Sequence, residues 1–198
     1  MGSAFISGTG SYLPEKVLTN RDLEMMVDTS DEWIITRTGI RERRICPVGK
    51  SSSDLGYEAS LKAIENSSIK SEDIEMIICA TITPDMYFPS TGCMIQDKLG
   101  LENIPSFDIS AACSGFIYGL EIARNFIENK KFRNVLVVAA ECMSRLTDYT
   151  DRNTCVLLGD GAGAAVVSYT EKEDTGILGS YISSAGKYGK LLYVPAGG

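Results

Sequence analysis

The sequence predicts an α/β fold: a mixed, mostly parallel sheet with βαβ crossovers and a candidate nucleophile at the start of a buried helix. Three observations predict it. Apolar runs at residues 75–81 (EMIICAT), 106–110 (SFDIS) and 134–140 (NVLVVAA) alternate with amphipathic stretches. Strands buried on both faces of a parallel sheet read as such continuous apolar runs. Residues 116–129 (FIYGLEIARNFIEN) are apolar around much of a helical circumference, which calls for burial on two sides. Between the second strand and this helix lies Ser110-Ala111-Ala112-Cys113-Ser114-Gly115.

In chain order, residues 4–8 read as a first strand. Residues 20–26 form a short helix capped by Thr19. Residues 30–38 form another, with Ser30 as cap, Asp31 and Glu32 in its first turn, and Gly39 after its end. Residues 54–66 are amphipathic, with Leu55, Ala59 and Ala63 on one stripe. Then come the strand 75–81, a helix over 91–99, the strand and helix around Cys113, and the strand 134–140. Strands separated by helices indicate parallel pairing with right-handed crossovers. The remainder changes character: 154–158, 162–169 and 176–183 read as strands joined by short loops, hence antiparallel additions.

Composition narrows the function classes. A chain of 198 residues can bury a real core as one domain or a large half-domain. Apolar residues at 44% and charged residues at 23% are ordinary for a globular protein. A net charge of −7 argues against a general nucleic-acid binder. No apolar run approaches the ~18 residues that span a bilayer. Nor does the Met1-Gly2-Ser3-Ala4 start carry the charged and apolar regions of a signal peptide. A cytoplasmic location, away from membranes, is expected. Cys46, Cys79, Cys93, Cys113, Cys142 and Cys155 include no CxxC pair, and the chain has no histidine. No metal site is expected, and the thiols read as reduced. Cys79 and Cys142 fall in or beside strand patterns and read as core.

Cys113 carries the most chemistry. A sulfur at the first turn of a helix feels the positive end of the helix dipole, which favours thiolate. Small neighbours allow close approach of a substrate. Strand, sharp turn, nucleophile and helix is the layout of an acyl-transfer site. Taken alone, the segment also reads as a buried structural thiol, which is what most free cysteines are. Trp33 and Arg37 lie four residues apart on one helix face, where an indole and a guanidinium can stack with an aromatic ring such as adenine. Trp33 also reads as a core residue of a short helix. Arg37, Arg41, Arg43 and Arg44 form a basic run, either a solvated face or a patch that steers anionic partners. Gly159-Asp160-Gly161-Ala162-Gly163 fits G-x-G-x-x-G poorly and precedes a strand, so it reads as close backbone packing, with Asp160 bonding nearby amides.

Several motifs occur in one order: DEWIITRTGIRER (31–43), Phe88-Pro89-Ser90, SAACSGF (110–116), Asp151-Arg152-Asn153-Thr154 and GDGAGAA (159–165). Together they resemble the β-ketoacyl-acyl carrier protein synthase III family of thiolase-like condensing enzymes. The resemblance implies that residues 1–198 are the N-terminal half of a fold whose two similar halves stack as five layers. Cys113 would be the nucleophile. Trp33, Arg37, Arg152 and the neighbouring Thr29 would grip the nucleotide end of coenzyme A. Phe88 would reach across a homodimer to close the partner's acyl pocket, with Leu157 and Leu158 near the same pocket.

The implied reaction starts fatty-acid synthesis. Cys113 takes the acyl group of a short acyl-coenzyme A. Malonyl-acyl carrier protein then loses carbon dioxide and condenses with it. Coenzyme A thioester is a substrate, and no separate cofactor is implied. The family draws a histidine and an asparagine for decarboxylation from its second half. A chain without histidine is therefore expected not to condense alone, and its second half to be truncated, disordered or on another chain. Two other readings stay open: another thiolase-like acyltransferase or ketosynthase, and a non-catalytic subunit that binds coenzyme A or an acidic carrier protein.

Overall fold

The strand Met76–Ala80 is buried along its whole length because each of its pleats faces a separate core. Ile77 and Cys79 pack with Ala59, Ala63, Ile95 and Val138. Met76 and Ile78 pack with Ala123, Ile127, Val135 and Val137. The structure, a computed structural model, describes residues 2–172 and 175–195. Its elements are β1 (Ser3–Tyr12), β2 (Lys16–Thr19), α1 (Asn20–Glu24), α2 (Asp31–Thr38), β3 (Glu42–Ile45), α3 (Ser52–Glu65), β4 (Met76–Ala80), α4 (Thr91–Lys98), β5 (Ser106–Ile109), α5 (Gly115–Glu128), β6 (Asn134–Cys142) and β7 (Asp160–Thr170).

The main sheet has the order β1-β7-β6-β4-β5. β4 pairs in parallel with both β5 and β6, while β7 is antiparallel to β6 and to β1. α3 and α4 cover one face and α5 the other. The chain moves outward from β4 through α4 to β5, then back through α5 to β6. A crossover of constant hand puts helices on opposite faces when the direction of travel reverses.

α5 lies against the sheet along Gly115, Gly119, Ala123 and Ile127, a stripe at spacing four. A Cβ at Gly119 would stand 2.8 Å from Val137 Cγ1. The missing side chain is what lets the helix approach so closely at the end that bears Cys113. Within these residues α5 is buried on this one face; Ile117, on another side, is 48% exposed. Ile182 and the Ser180 Oγ–Glu121 Oε2 bond (2.5 Å) bring the C-terminal segment across the helix.

The structure departs from the sequence reading in three places. Residues 154–158 are turns rather than a strand. Asp151 explains this: its carboxylate accepts from Asn153 N (3.0 Å) and Thr154 Oγ1 (2.7 Å), local bonds that compete with sheet pairing. Residues 176–183 form no strand either. Gly176 adopts φ +111°, and Ile177 N makes a bond to Ala4 O at 2.8 Å before the segment leaves the sheet edge. The hairpin β2–β3 is new relative to the sequence reading. Its Glu-Arg-Arg-Ile strand lacks the apolar alternation that marks a strand.

Asp54 ties α3 to α4. Its carboxylate accepts from Ser51 N (2.8 Å), Ser51 Oγ (3.1 Å) and Lys98 Nζ (2.9 Å). Burial pushes its pKa up, but the Lys98 and Ser51 bonds outweigh burial and bring it down to about 2. A carboxylate depressed in the folded state contributes stability above its unfolded pKa, and that contribution is lost as pH falls through the folded value. Unfolding monitored between pH 5 and 2 should show roughly 1–2 kcal/mol lost to this group, after allowance for solvent screening, and less in Asp54→Asn. An unchanged slope in the variant would sink the assignment.

Candidate active site

At the end of β5 the chain turns sharply. Ala112 has φ +44°, a left-handed conformation that its Cβ disfavours at a cost of about 1–2 kcal/mol. Residues Ala112–Ser114 form a single 3₁₀ turn, and α5 begins at Gly115. Cys113 is exposed on this turn. Of the six thiols it alone is exposed: Cys46, Cys79, Cys142 and Cys155 are buried and Cys93 is half-buried. Burial pushes the thiols of Cys46, Cys79 and Cys155 up, and that of Cys142 up to about 12, so these four stay protonated at neutral pH. Cys93 Sγ donates to Ser106 O at 3.4 Å.

A second cluster forms on α2. Ser30 Oγ accepts from Trp33 N at 3.1 Å, and Gly39 ends the helix with φ +74°. One helical turn separates Trp33 from Arg37. The Arg37 guanidinium carbon lies 4.9 Å from the indole centroid and that of Arg152 lies 4.7 Å away. Arg152, from the turn after Asp151, is steadied by Asp28 at 3.6 Å. Thr29 Oγ1 is buried with no hydrogen-bond partner among the described residues. The fold therefore brings the guanidiniums of both Arg37 and Arg152 against the Trp33 indole, although Arg152 is over a hundred residues away in sequence.

Arg43 does not join the basic run. It is only 4% exposed, donating to Asn20 Oδ1 (2.5 Å) and, through Nε (3.0 Å), to Val156 O. It is the internal tie between the β2–β3 hairpin and the turn before β7. Asp160 bonds amides as expected, but of distant segments: Cys46 N at 2.6 Å and Ser144 N at 2.8 Å.

Phe88 is 83% exposed on the loop 81–90. Leu157 is exposed and Leu158 half-buried, on the turn before β7. Three carboxylates that sequence reasoning passed over hold the Phe88 loop. Glu141, at the end of β6, accepts from Ile82 N (2.9 Å) and Thr83 Oγ1 (2.5 Å). Asp85 accepts from Ser53 N (2.9 Å) and Ser51 Oγ (2.6 Å). Asp108, on β5, accepts from Thr91 N and Gly92 N, both at 2.7 Å. For Glu141 and Asp108 the available signal was an acidic residue inside or at the end of an otherwise apolar strand; Asp85, in the loop itself, gave none. Among the described residues, no group of three or more His, Cys, Asp or Glu side chains is arranged to hold a metal ion, and no helix is long and apolar enough to cross a membrane.

A family model described as 3-oxoacyl-[acyl-carrier-protein] synthase III matches residues 107–186, which include Cys113. The β-ketoacyl-[acyl-carrier-protein] synthase III of Caldanaerobacter subterraneus is 61% identical over 196 residues, covering 99% of this chain and 59% of that protein. The crystal structure of the Pseudomonas aeruginosa synthase III superposes with a TM-score of 0.93 at 37% identity, covering 99% of this chain and 61% of that one. The chain is similar to 3-oxoacyl-acyl carrier protein synthase III along nearly all of its length. The synthase III from Thermus thermophilus gives a TM-score of 0.91 at 40% identity over 97% of this chain and 59% of that one. The shared synthase III fold includes the mixed sheet with helices on both faces. The chain spans about 59% of the length of the first curated relative.

Proposed function

We propose that residues 1–198 act as the N-terminal, nucleophile-bearing half of a 3-oxoacyl-acyl carrier protein synthase III, an acyltransferase that starts fatty-acid chains. The observation that carries this reading is Cys113: the one exposed thiol of the chain stands on a strained turn at the start of α5. Its thiolate attacks the carbonyl of a short acyl-coenzyme A. The Cys113 amide, at the helix start, stabilises the oxyanion. Coenzyme A leaves and takes a proton, and the acyl group stays on sulfur. Malonyl-acyl carrier protein then loses carbon dioxide, and its carbanion attacks the acyl-cysteine. The product is a 3-oxoacyl-acyl carrier protein and a restored thiolate.

The adenine of coenzyme A would insert where Arg37 and Arg152 now lie against Trp33, and Thr29 Oγ1 would gain a partner. The exposed loop bearing Phe88 supports a homodimer in which it closes the partner's acyl pocket beside Leu157 and Leu158. Six free thiols support a reducing, cytoplasmic setting. Residues 1–198 contain no histidine, so a histidine donor for decarboxylation would lie outside these residues. Such donors are typically worth about 2.7–4 kcal/mol each. Isolated, the chain should therefore take an acetyl group but form no 3-oxoacyl product.

Intact mass before and after incubation with acetyl-coenzyme A tests the reading. A gain of one acetyl group, mapped to Cys113, is the expected result. The lack of histidine favours a second reading, a subunit that binds coenzyme A or an acidic carrier protein without catalysis; binding without acetylation would establish it. Trp33→Ala should weaken coenzyme A binding about tenfold, since stacking on a base is worth roughly 1–3 kcal/mol. A titration showing less than a twofold change would remove Trp33 from the site.

A further inference from the structure

Trp33 receives its two guanidiniums from two different parts of the chain. Arg37 comes with it on α2, but Arg152 arrives on the turns that follow Asp151. The ion pair between Arg152 and Asp28 does not fix that meeting. Asp28 is fully exposed and the pair stands at 3.6 Å, and exposed pairs contribute little in water. The tie that fixes it lies beneath the surface.

Val156, four residues after Arg152, presents its carbonyl to Arg43, which donates to it through Nε (3.0 Å) and Nη2 (2.5 Å). Nη1 of the same guanidinium donates to Asn20 Oδ1 at 2.5 Å. Asn20 Nδ2 in turn donates to Asp31 Oδ1 at 2.7 Å and to Ile40 O at 2.9 Å. Asp31 opens α2 two residues before Trp33, and Ile40 stands just past its end. The path is buried: Arg43 is 4% exposed and Asn20 1%. It runs beside an apolar cluster of Leu23, Ile34, Cys155 and Val156, on which Trp33 and Ile40 pack.

The turn end of the path is stiff. Cys155 N donates to Asp151 O and Leu157 N to Thr154 O, both at 3.0 Å, so a shift of Val156 carries Arg152 with it. The residue types fit the task. The guanidinium fork gives one carbonyl two donors and aims a third elsewhere. A carboxamide accepts on one atom and donates from the other, so Asn20 can join a cation to both a carboxylate and a carbonyl.

We propose that Arg43 and Asn20 are positioning residues: through Val156 and Asp31 they hold Arg152 at stacking distance from Trp33, and so set how tightly that pair takes a purine nucleotide. Both are buried and act only through the segments they join. The ligand class rests on the reading of this place as the coenzyme A grip; the positioning itself can be read without a ligand. Trp33 is the only tryptophan of the chain, so intrinsic fluorescence reports this place alone.

The full chain is compared with Arg43→Lys, which keeps the charge and loses the fork, with Arg152→Ala, and with the double variant. Three quantities are read: acrylamide quenching of Trp33, binding of adenosine 3′,5′-bisphosphate, and the rate at which iodoacetamide alkylates Cys113. Arg152→Ala should raise quenching and weaken bisphosphate binding about fivefold, the loss of one cation at an aromatic site. Arg43→Lys should do both to a similar degree, while alkylation of Cys113 is unaltered. In the Arg152→Ala background, Arg43→Lys should add less than about twofold, because substitutions that act through one contact are not additive. Asp31→Ala breaks the path at its other end, on the partly exposed start of α2. It should give the same pattern, and it serves if Arg43→Lys does not fold.

A folded variant that leaves Trp33 quenching unchanged overturns the proposal. So does a loss that is undiminished in the Arg152→Ala background, since the tie then acts elsewhere than through Arg152. A parallel fall in Cys113 alkylation also overturns it, being general loss of structure. If the unsubstituted chain binds no bisphosphate while the quenching changes follow the pattern and are non-additive, the coenzyme A reading fails and the positioning of Arg152 stands.

Discussion

Replacing Cys113 with alanine is expected to abolish acyl transfer and leave the fold intact. The side chain is exposed on a turn, so its removal deletes no core contact. The stability change should stay within the ±0.5 kcal/mol typical of surface substitutions. The chemical loss is of another order. Removing the nucleophile of an acyl-transfer site costs roughly 10⁴–10⁶-fold in rate. The other thiols offer no bypass, because four are held protonated by burial and Cys93 is engaged with Ser106.

Cys113→Ser sharpens the point. A serine hydroxyl needs an adjacent general base, and the chain contains no histidine to serve as one. The serine variant should be as inert as the alanine variant. Intact mass after exposure to acetyl-coenzyme A reads both, with circular dichroism as the folding control. An acetyl group that persists in Cys113→Ala would place the nucleophile elsewhere.

Asp160→Ala is expected to be the most destabilising of the single substitutions considered. Asp160 opens β7, the strand between β1 and β6, and is 4% exposed. Its carboxylate accepts from Cys46 N, from Ser144 N and from Ser144 Oγ at 2.5 Å. Those bonds join three segments: the link from β3 to α3, the turn after β6, and β7 itself. Deleting the carboxylate strands two backbone N–H groups and leaves a cavity. Unpaired buried donors cost about 1–3 kcal/mol each, so a total near 3–5 kcal/mol follows. For a chain of this size that corresponds to roughly 6–20 °C in the unfolding midpoint. Asp160→Asn keeps one acceptor and should lose about half as much. A chemical-denaturation difference below 1 kcal/mol for the alanine variant would refute the assignment.

The parts of the fold legible in the sequence are those whose physics is local. β4 and β6 announce themselves as apolar runs because both faces of each strand are covered. α2 is marked by Ser30 and Gly39, whose roles depend only on residues within one turn. Cys113 stands out because strand, small residues and helix are contiguous around it. Trp33 and Arg37 share a face through helical spacing alone.

The strand expected at 154–158 failed because Asp151 diverts the backbone into turns, a local competition that a count of apolar residues does not weigh. The β2–β3 hairpin was hidden because its buried side chain is an arginine. Arg43 is stabilised there by a carbonyl 113 positions away, and nothing in its neighbourhood distinguishes it from the exposed Arg41.

By itself, then, the sequence determined the class of the sheet, its parallel core and the helix that begins just after Cys113, all of which follow from short-range pattern. Only the tertiary structure decided that Arg152 joins Trp33, that Arg43 is internal, and that Asp108, Glu141 and Asp160 organise the loops around the strand ends. A hydrogen bond specifies its partner by position in space. Asp160 and Cys46 meet across 114 residues because the sheet order brings them together, and that order exists only in the folded chain.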